Sequence, residues 1–291
     1  MSNPSGQKGH TMRVLITGAS GGVGSAIINQ LRGSGVEVRA TCRRPQSGHI
    51  PCVETVSSDL DRPATMRPAL AGVDCVFLFS FTRHEVLPEL VDELSAAGVT
   101  KVVVLSTIDT TRHESFVEYN KQRHLAVENS ISGGGFTTVS LRPGAFARNA
   151  IRFWARQIRH NRMVGLPFPD SQQAPIADED IAAVAVRAIT TPDLDGTKPV
   201  LTGPDSLTMR DQVRLIGEAI GEPIGISVLS EREVRALYGE VLPPEYLDLL
   251  MAQWEFETTE QAVVTHAVHE ITGRDAVTYL DWAMAHRDAF V

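Results

Sequence analysis

The sequence predicts an α/β fold: a doubly wound parallel sheet followed by a smaller, mostly helical C-terminal lobe. Three observations carry that expectation. Short, continuously apolar runs alternate with helical segments through the first half. A glycine-rich turn follows the first such run at once. After about residue 150 the alternation gives way to proline-rich loops and short helices. Apolar runs without a polar face belong to strands covered on both sides, which is the setting of a parallel sheet with helical crossovers.

The elements follow in order. Arg13 to Thr17 is a β-branched strand, and Gly18 to Gly24 is the turn after it. Ser25 to Arg32 reads as a helix ended by Gly33 and Gly35, and Val36 to Cys42 as the second strand. Val53 to Val56 is a short third strand and Pro63 to Leu70 a short helix. Asp74 to Phe81 is too apolar to have a solvated face and forms the fourth strand. A helix over His84 to Ala97 stops at Gly98, and Lys101 to Leu105 is the fifth strand. Glu114 to Ser132 is helical until three glycines, and Phe136 to Leu141 is the sixth strand. Residues 143–177 read as loop-rich, with Pro143, Pro167, Pro169 and Pro175. Helices over Asp178–Ile189 and Thr208–Ile220 flank a short strand at Pro199–Leu201, and several short helices close the chain. This divides the chain into a disordered leader (1–11), a nucleotide-binding domain (12–150) and a substrate lobe (151–291) interleaved with the end of the sheet.

Composition narrows the class. The chain has 291 residues, 43% of them hydrophobic and 21% charged, as in an ordinary globular protein. No apolar run nears the roughly 18 residues that span a bilayer, and the polar start lacks the core of a secretory signal. A cytoplasmic protein without membrane partners is the expectation. A net charge of −8 opposes general nucleic-acid binding. Three cysteines without a C-x-x-C spacing offer neither a disulfide framework nor a zinc site, and no metal is expected. A monomer or homodimer is expected on general grounds.

The turn Thr17-Gly18-x-x-Gly21-x-x-Gly24 gains its meaning from its place between strand and helix. Gly18 allows the tight exit from the strand, Gly21 admits a pyrophosphate to the backbone, and Gly24 lets helix and sheet pack closely. Free N–H groups and the helix dipole then favour phosphate. An acidic residue after the second strand would take the ribose hydroxyls of NAD, but Arg43-Arg44 stands there. Two guanidinium groups suit a 2′-phosphate, hence NADP(H), although a solvated basic turn reads the same. Asp59 and Leu60 either line the adenine or cap the helix before Pro63.

The loop TGASGGVG, Arg43, SSDL at 57–60 and LRPGAFARN at 141–149 together resemble the NmrA-like branch of the atypical short-chain dehydrogenase/reductases, a Rossmann superfamily. Segments 202–224 and 271–290 resemble that branch's C-terminal pattern, so the likeness runs over nearly the whole chain. The branch holds quinone and azo-type reductases, related reductases and non-enzymatic dinucleotide sensors. The resemblance implies pyrophosphate contacts from Gly18, Ser20, Gly21, Gly22 and Val23, and a 2′-phosphate contact from Arg43. It places Ser80 and Phe81 along the ribose, and Pro143, Gly144 and Phe146 around the nicotinamide.

The superfamily's usual Tyr-x-x-x-Lys acid dyad is altered here. Tyr119 and Arg123 keep the spacing with Arg for Lys, whereas counting back from Glu128 puts His124 at the Lys place and Asn120 at the Tyr place. The second register is preferred. His124 then binds the cofactor ribose or serves as an acid near neutral pH, or is a plain helix histidine. Tyr119 and His113 are weaker acid candidates. Ser106 and Thr107, after the fifth strand, either place a hydroxyl near substrate or cap the strand end.

Residues 142–162 carry six arginines (142, 148, 152, 156, 159 and 162) around Phe153 and Trp154 with no acid. They form either a basic aromatic rim for a planar or anionic substrate or an amphipathic helix with solvated and paired arginines. The reading that follows is an NADPH-dependent reductase of a quinone-like or other conjugated aromatic small molecule. Such an acceptor delocalises the developing charge, so positioning dominates and the altered dyad is tolerable. The same residues leave open an NADP(H) sensor without turnover and an enzyme using the cofactor for a net non-redox step.

Overall fold

A computed structural model describes residues 11–43, 53–79, 83–239 and 242–291. The expected leader, Arg44, Cys52, Ser80 and Phe81 lie outside or largely outside those residues. The first half contains β1 (Arg13–Ile16), α1 (Gly22–Leu31), β2 (Glu37–Cys42), β3 (Glu54–Ser57), α2 (Arg67–Leu70), β4 (Cys75–Phe79), α3 (Leu87–Ala96), β5 (Lys101–Leu105), α4 (Glu118–Gly133) and β6 (Thr137–Pro143). The second half contains α5 (Asn149–Asn161), β7 (Met163–Leu166), β8 (Gln172–Gln173), α6 (Asp178–Thr190), β9 (Val200–Leu201), β10 (Leu207–Thr208) and α7 (Met209–Ile220). It ends with β11 (Gly225–Val228), α8 (Glu231–Tyr238), α9 (Pro244–Phe256), α10 (Ala267–Thr272) and α11 (Tyr279–Ala285).

Seven parallel strands form one sheet in the order β3-β2-β1-β4-β5-β6-β9. The order reverses between β1 and β4, which opens a crevice at the carboxyl ends of those strands. Period-two alternation divides the core. Val14, Ile16, Phe77 and Val103 face one side with Ile27 of α1 and Ile181 and Val184 of α6. Leu15, Val76, Leu78, Val102 and Val104 face the other side with Leu90 and Leu94 of α3 and Val127 and Ile131 of α4. Both faces are therefore covered, as the apolar strands require. A third core, around Trp154, Ile158, Val213, Tyr238, Trp254 and Trp282, belongs to the C-terminal lobe. Residues 178–201 return from that lobe to the sheet as α6 and β9.

Several boundaries move for identifiable reasons. The first helix begins at Gly22, inside the glycine turn, because extended Gly21 already serves as its N-cap. The helices expected from Pro63, His84 and Glu114 each open with a 3-10 turn, at Pro63–Met66, His84–Val86 and Ser115–Val117. Pro68 and Pro88 then stand in the first turn of α2 and α3, where a missing N–H costs little. The loop-rich span 143–177 holds the 13-residue helix α5, with prolines only outside it. Its Trp154, Ala155 and Ile158 point inward while Arg152, Arg156 and Arg159 lie exposed. The strands β7 and β11 pair in parallel across about sixty residues, a pairing that the sequence does not announce. Among the described residues no helix is long and apolar enough to cross a membrane.

Candidate active site: a cleft joined to an aromatic cavity

The glycine turn is built by its neighbours. The Thr17 hydroxyl donates to the Phe77 carbonyl (3.0 Å) and accepts from the Phe79 N–H (2.7 Å), tying the end of β1 to β4. Gly18 has φ +63°, and a Cβ there would stand 3.2 Å from the Phe79 Cβ. Both conformation and space therefore call for glycine. The Gly21 N–H donates to the Gly18 carbonyl (2.9 Å), closing the turn. At Gly24 a Cβ would stand 2.9 Å from the Gly18 carbonyl carbon and 3.0 Å from the Ala19 Cα, so α1 packs on the turn backbone itself.

Around this turn runs a cleft of about 800 Å³, lined by Gly18, Ser20, Gly21, Gly22 and Val23 of the turn. Arg43, Ser58, Asp59 and Leu60 line its far part, and Phe79, Leu105 and Phe146 its near part. A second cavity of about 250 Å³ adjoins it. Phe79, Leu105, Phe146, Asn149 and Arg152 line both, so the two spaces meet along these side chains. The second cavity is walled by Phe153, Trp154, Tyr238, Tyr246 and Trp254 on the lobe side. Phe153 packs edge-on against Tyr238 (5.8 Å) and Trp254 (6.4 Å), which makes the wall stiff. The Tyr238 hydroxyl donates to the Gly165 carbonyl (2.9 Å), and burial pushes its pKa up to about 12. On the sheet side stand Ser106, Thr107, Asp109, Asn120 and His124.

The expected residues divide accordingly. Gly18, Ser20, Gly21, Gly22, Val23, Arg43, Asp59 and Leu60 share the first cleft. His124, Ser106 and Thr107 line the second cavity, Phe146 lines both, and Gly144 lines the second. Pro143 is buried at the end of β6, paired with Leu201, and lines neither. Tyr119 is 58% exposed, carries Arg123 over its ring at 5.6 Å, and lines neither cavity. His113 is exposed and lines neither, lining instead a third cavity that adjoins the second along Ile108, Gly144 and Gln173.

Charge placement refines these positions. Burial, with Arg123 beside it, pushes the His124 pKa down to about 4, so the imidazole is neutral at pH 7 and does not titrate there. The Ser106 hydroxyl donates to Glu128 Oε1 (2.6 Å). Glu128 is fully buried and also accepts from Arg142 (2.7 Å) and Lys198 (2.8 Å), which holds its pKa down against desolvation. Ser106 is thus the capping partner of a buried ion network. The arginine run separates in the same way. Arg142 belongs to that network, Arg148 pairs with Asp178 (3.1 Å), Arg162 pairs with Glu222 (2.6 Å), and Arg152 reaches both cavities.

Two acidic residues went unnoticed as site residues. Asp178, the first residue of α6, lies with Arg148 directly over Gly22, where any Cβ would overlap both side chains. Its Oδ1 is buried without a partner, and burial raises its pKa to about 6. Asp109 lies in the 3-10 turn after β5, accepting from Asn120 Nδ2 at 2.5 Å. In the sequence Asp178 reads as the first residue of a helix, and Asp109 falls between the fifth strand and the helix from Glu114 with no motif to mark it. The glycine turn without Cβ space and the cationic Arg43 and Arg148 fit a phosphate-bearing dinucleotide along the cleft. Among the described residues no three His, Cys, Asp or Glu side chains gather as metal ligands would.

Comparison with known proteins agrees with this geometry. The family described as NAD(P)H-binding matches residues 18–192. A (4-alkanoyl-5-oxo-2,5-dihydrofuran-3-yl)methyl phosphate reductase of Streptomyces griseus is 31% identical over 283 residues, covering 95% of this chain and 99% of that protein. An NAD(P)H azoreductase of Xenophilus azovorans is 27% identical over 286 residues, covering 95% and 99%. The fold is similar to that of an NADPH-dependent quinone oxidoreductase of Escherichia coli crystallised with NADPH, with TM-score 0.76, 21% identity and coverage of 94% and 99%. The chain belongs to the NAD(P)H-binding family and is an oxidoreductase of that family.

Proposed function

We propose that the protein is an NADPH-dependent reductase that passes hydride to a planar conjugated acceptor of the quinone type. The observation that carries this reading is the junction: the glycine-turn cleft shares Phe79, Leu105 and Phe146 with a cavity walled by aromatic rings. A dinucleotide with its pyrophosphate on Gly18–Val23 runs along the strand ends toward that junction. When bound, the nicotinamide supplies two electrons and a hydrogen as hydride.

The chain's own residues do the rest. Arg43, exposed at the end of β2 and lining the far part of the cleft, favours a 2′-phosphate over free ribose hydroxyls. His124, neutral and buried, offers a ring nitrogen to a ribose hydroxyl without adding charge. Gly144 and Phe146, following β6, border the nicotinamide end. Phe153, Trp154 and Trp254 stack with the flat acceptor and exclude water, and Arg152 at the junction favours electron-rich or anionic substituents. Two relatives support the acceptor class: one is named for an oxo-dihydrofuran substrate and the other for azo compounds.

The test is steady-state oxidation of NADPH and NADH with 1,4-naphthoquinone as acceptor. We expect NADPH to be preferred at least about tenfold in kcat/KM, since one charged hydrogen-bonded contact is worth roughly 1.5–3 kcal/mol. Arg43→Ala should erase that preference. Equal use of both cofactors, or no oxidation with any conjugated acceptor, would overturn the proposal.

A further inference from the structure

We propose that Asp109 is the proton donor of the reduction, delivering its carboxyl proton to the acceptor oxygen as hydride reaches the ring. This rests on the reductase reading above and adds the group that completes it. Asp109 lines the aromatic cavity, four residues beyond Leu105, which borders both cavities. It is buried at 8% exposure, in a 3-10 turn held by Thr107, whose hydroxyl accepts from the Asp109 N–H (3.3 Å). Asn120, at the place the superfamily gives its tyrosine, donates to Asp109 Oδ2 (2.5 Å). The altered dyad has therefore not left the cavity without an acid: Asn120 orients a carboxyl instead of donating itself.

The surroundings raise the carboxyl's affinity for a proton. Arg112 and Glu114 act on Asp109 from its own loop, Asn120 bonds it from α4, Tyr246 lies near it from α9, and His124 and Arg152 line the same cavity. Desolvation outweighs the Asn120 bond, Arg112 and a bond from the Thr107 side chain, so the carboxyl's pKa is raised from its ordinary value. Three other ionisable groups at or beside the cavity are unsuited. His124 is neutral at pH 7, Tyr238 donates to the Gly165 carbonyl, and Glu128 is locked between Arg142 and Lys198.

The step balances. Hydride from NADPH adds two electrons and one hydrogen at a ring carbon, one acceptor oxygen takes the Asp109 proton, and the neutral adduct tautomerises in water to the hydroquinone, leaving NADP⁺. Asp109 carboxylate then regains a proton from water through the open end of the cavity. A cationic acceptor such as 10-methylacridinium accepts hydride to give a neutral product and needs no proton.

The experiment compares 1,4-naphthoquinone with 10-methylacridinium, both with NADPH, in wild type, Asp109→Asn and Asp109→Glu, across pH 5–9. Expected is a fall of at least about tenfold in the quinone-to-acridinium rate ratio for Asp109→Asn, at the low end for loss of a general acid. Asp109→Glu should recover part of that ratio. The wild-type quinone rate should decline with rising pH, and the Asp109→Asn profile should be flat. An unchanged ratio, or an equal loss with both acceptors in both variants, would overturn the assignment while leaving the reductase reading intact. Reduction of neither acceptor by wild type would overturn the reductase reading, and this assignment with it.

Discussion

Replacing Glu128 with Gln should destabilise the protein more than any exposed substitution. Glu128 is fully buried in α4 and holds three partners from three other segments: Ser106 after β5 (2.6 Å), Arg142 of β6 (2.7 Å) and Lys198 before β9 (2.8 Å). Breaking a buried charge pair typically costs about 3–5 kcal/mol, because the remaining cation is left desolvated. Gln keeps the volume and one acceptor oxygen, and Lys198 is partly exposed, which lowers the expectation to roughly 2–4 kcal/mol. With an unfolding entropy of about 2.1 cal/mol/K per residue, a 3 kcal/mol loss corresponds to a Tm about 5 °C lower for a chain of this length. The pH dependence gives a second check. The pKa of Glu128 is depressed in the fold, so its contribution is complete above the unfolded value near 4.3. It disappears as pH falls through the folded value. The gap between wild type and Glu128→Gln, followed by circular dichroism at several pH values, should be widest near pH 6–7 and close in acid. A Tm change under about 1 °C at pH 7, or a gap that widens in acid, would refute the network as a keystone of the sheet end.

Three further outcomes follow from the cleft. Gly24→Ala pushes a methyl against the backbone of Gly18 and Ala19, and should cost about 1–3 kcal/mol and weaken NADPH binding at least tenfold by fluorescence titration. Arg148→Ala leaves Asp178 without its cation beside Gly22, and should raise the NADPH Kd about tenfold or more. Asp178 has a raised pKa of about 6, so without cofactor it detracts from stability as pH rises from about 4 through 6. Urea unfolding of Asp178→Asn should lack that decline, and an identical pH profile to wild type would contradict the assignment.

The sequence made the nucleotide half legible because its signals are local. The run at Val14–Ile16, the glycines at 18, 21 and 24 and the helix after them lie within a short stretch, and the structure closes them with bonds of the same stretch plus Phe77 and Phe79. A parallel sheet covered on both faces could be anticipated from strands that are apolar on both faces. The aromatic cavity was not legible in the same way. Its wall gathers Phe146, Phe153, Trp154, Tyr238 and Trp254 from three helices and a loop, and no periodicity links them. The arginine run was ambiguous because its members part only in space, Arg142 into a buried network and Arg148 over Gly22. Ser106 and Asp109 show the same limit. Each is a polar residue after β5, yet one is held by Glu128 and the other by Asn120, partners on a helix 22 and 11 residues away.

The most direct test of the account is the primary isotope effect on 1,4-naphthoquinone reduction, with NADPH deuterated separately at each of the two C4 positions. If the nicotinamide lies at the junction with one face toward the aromatic cavity, one epimer should slow single-turnover hydride transfer about two- to fourfold and the other should leave it unchanged, since the bound geometry admits one near-attack face. Equal rates for both epimers with a chemistry-limited reaction, or a rate no faster than buffer, would contradict hydride transfer across that junction.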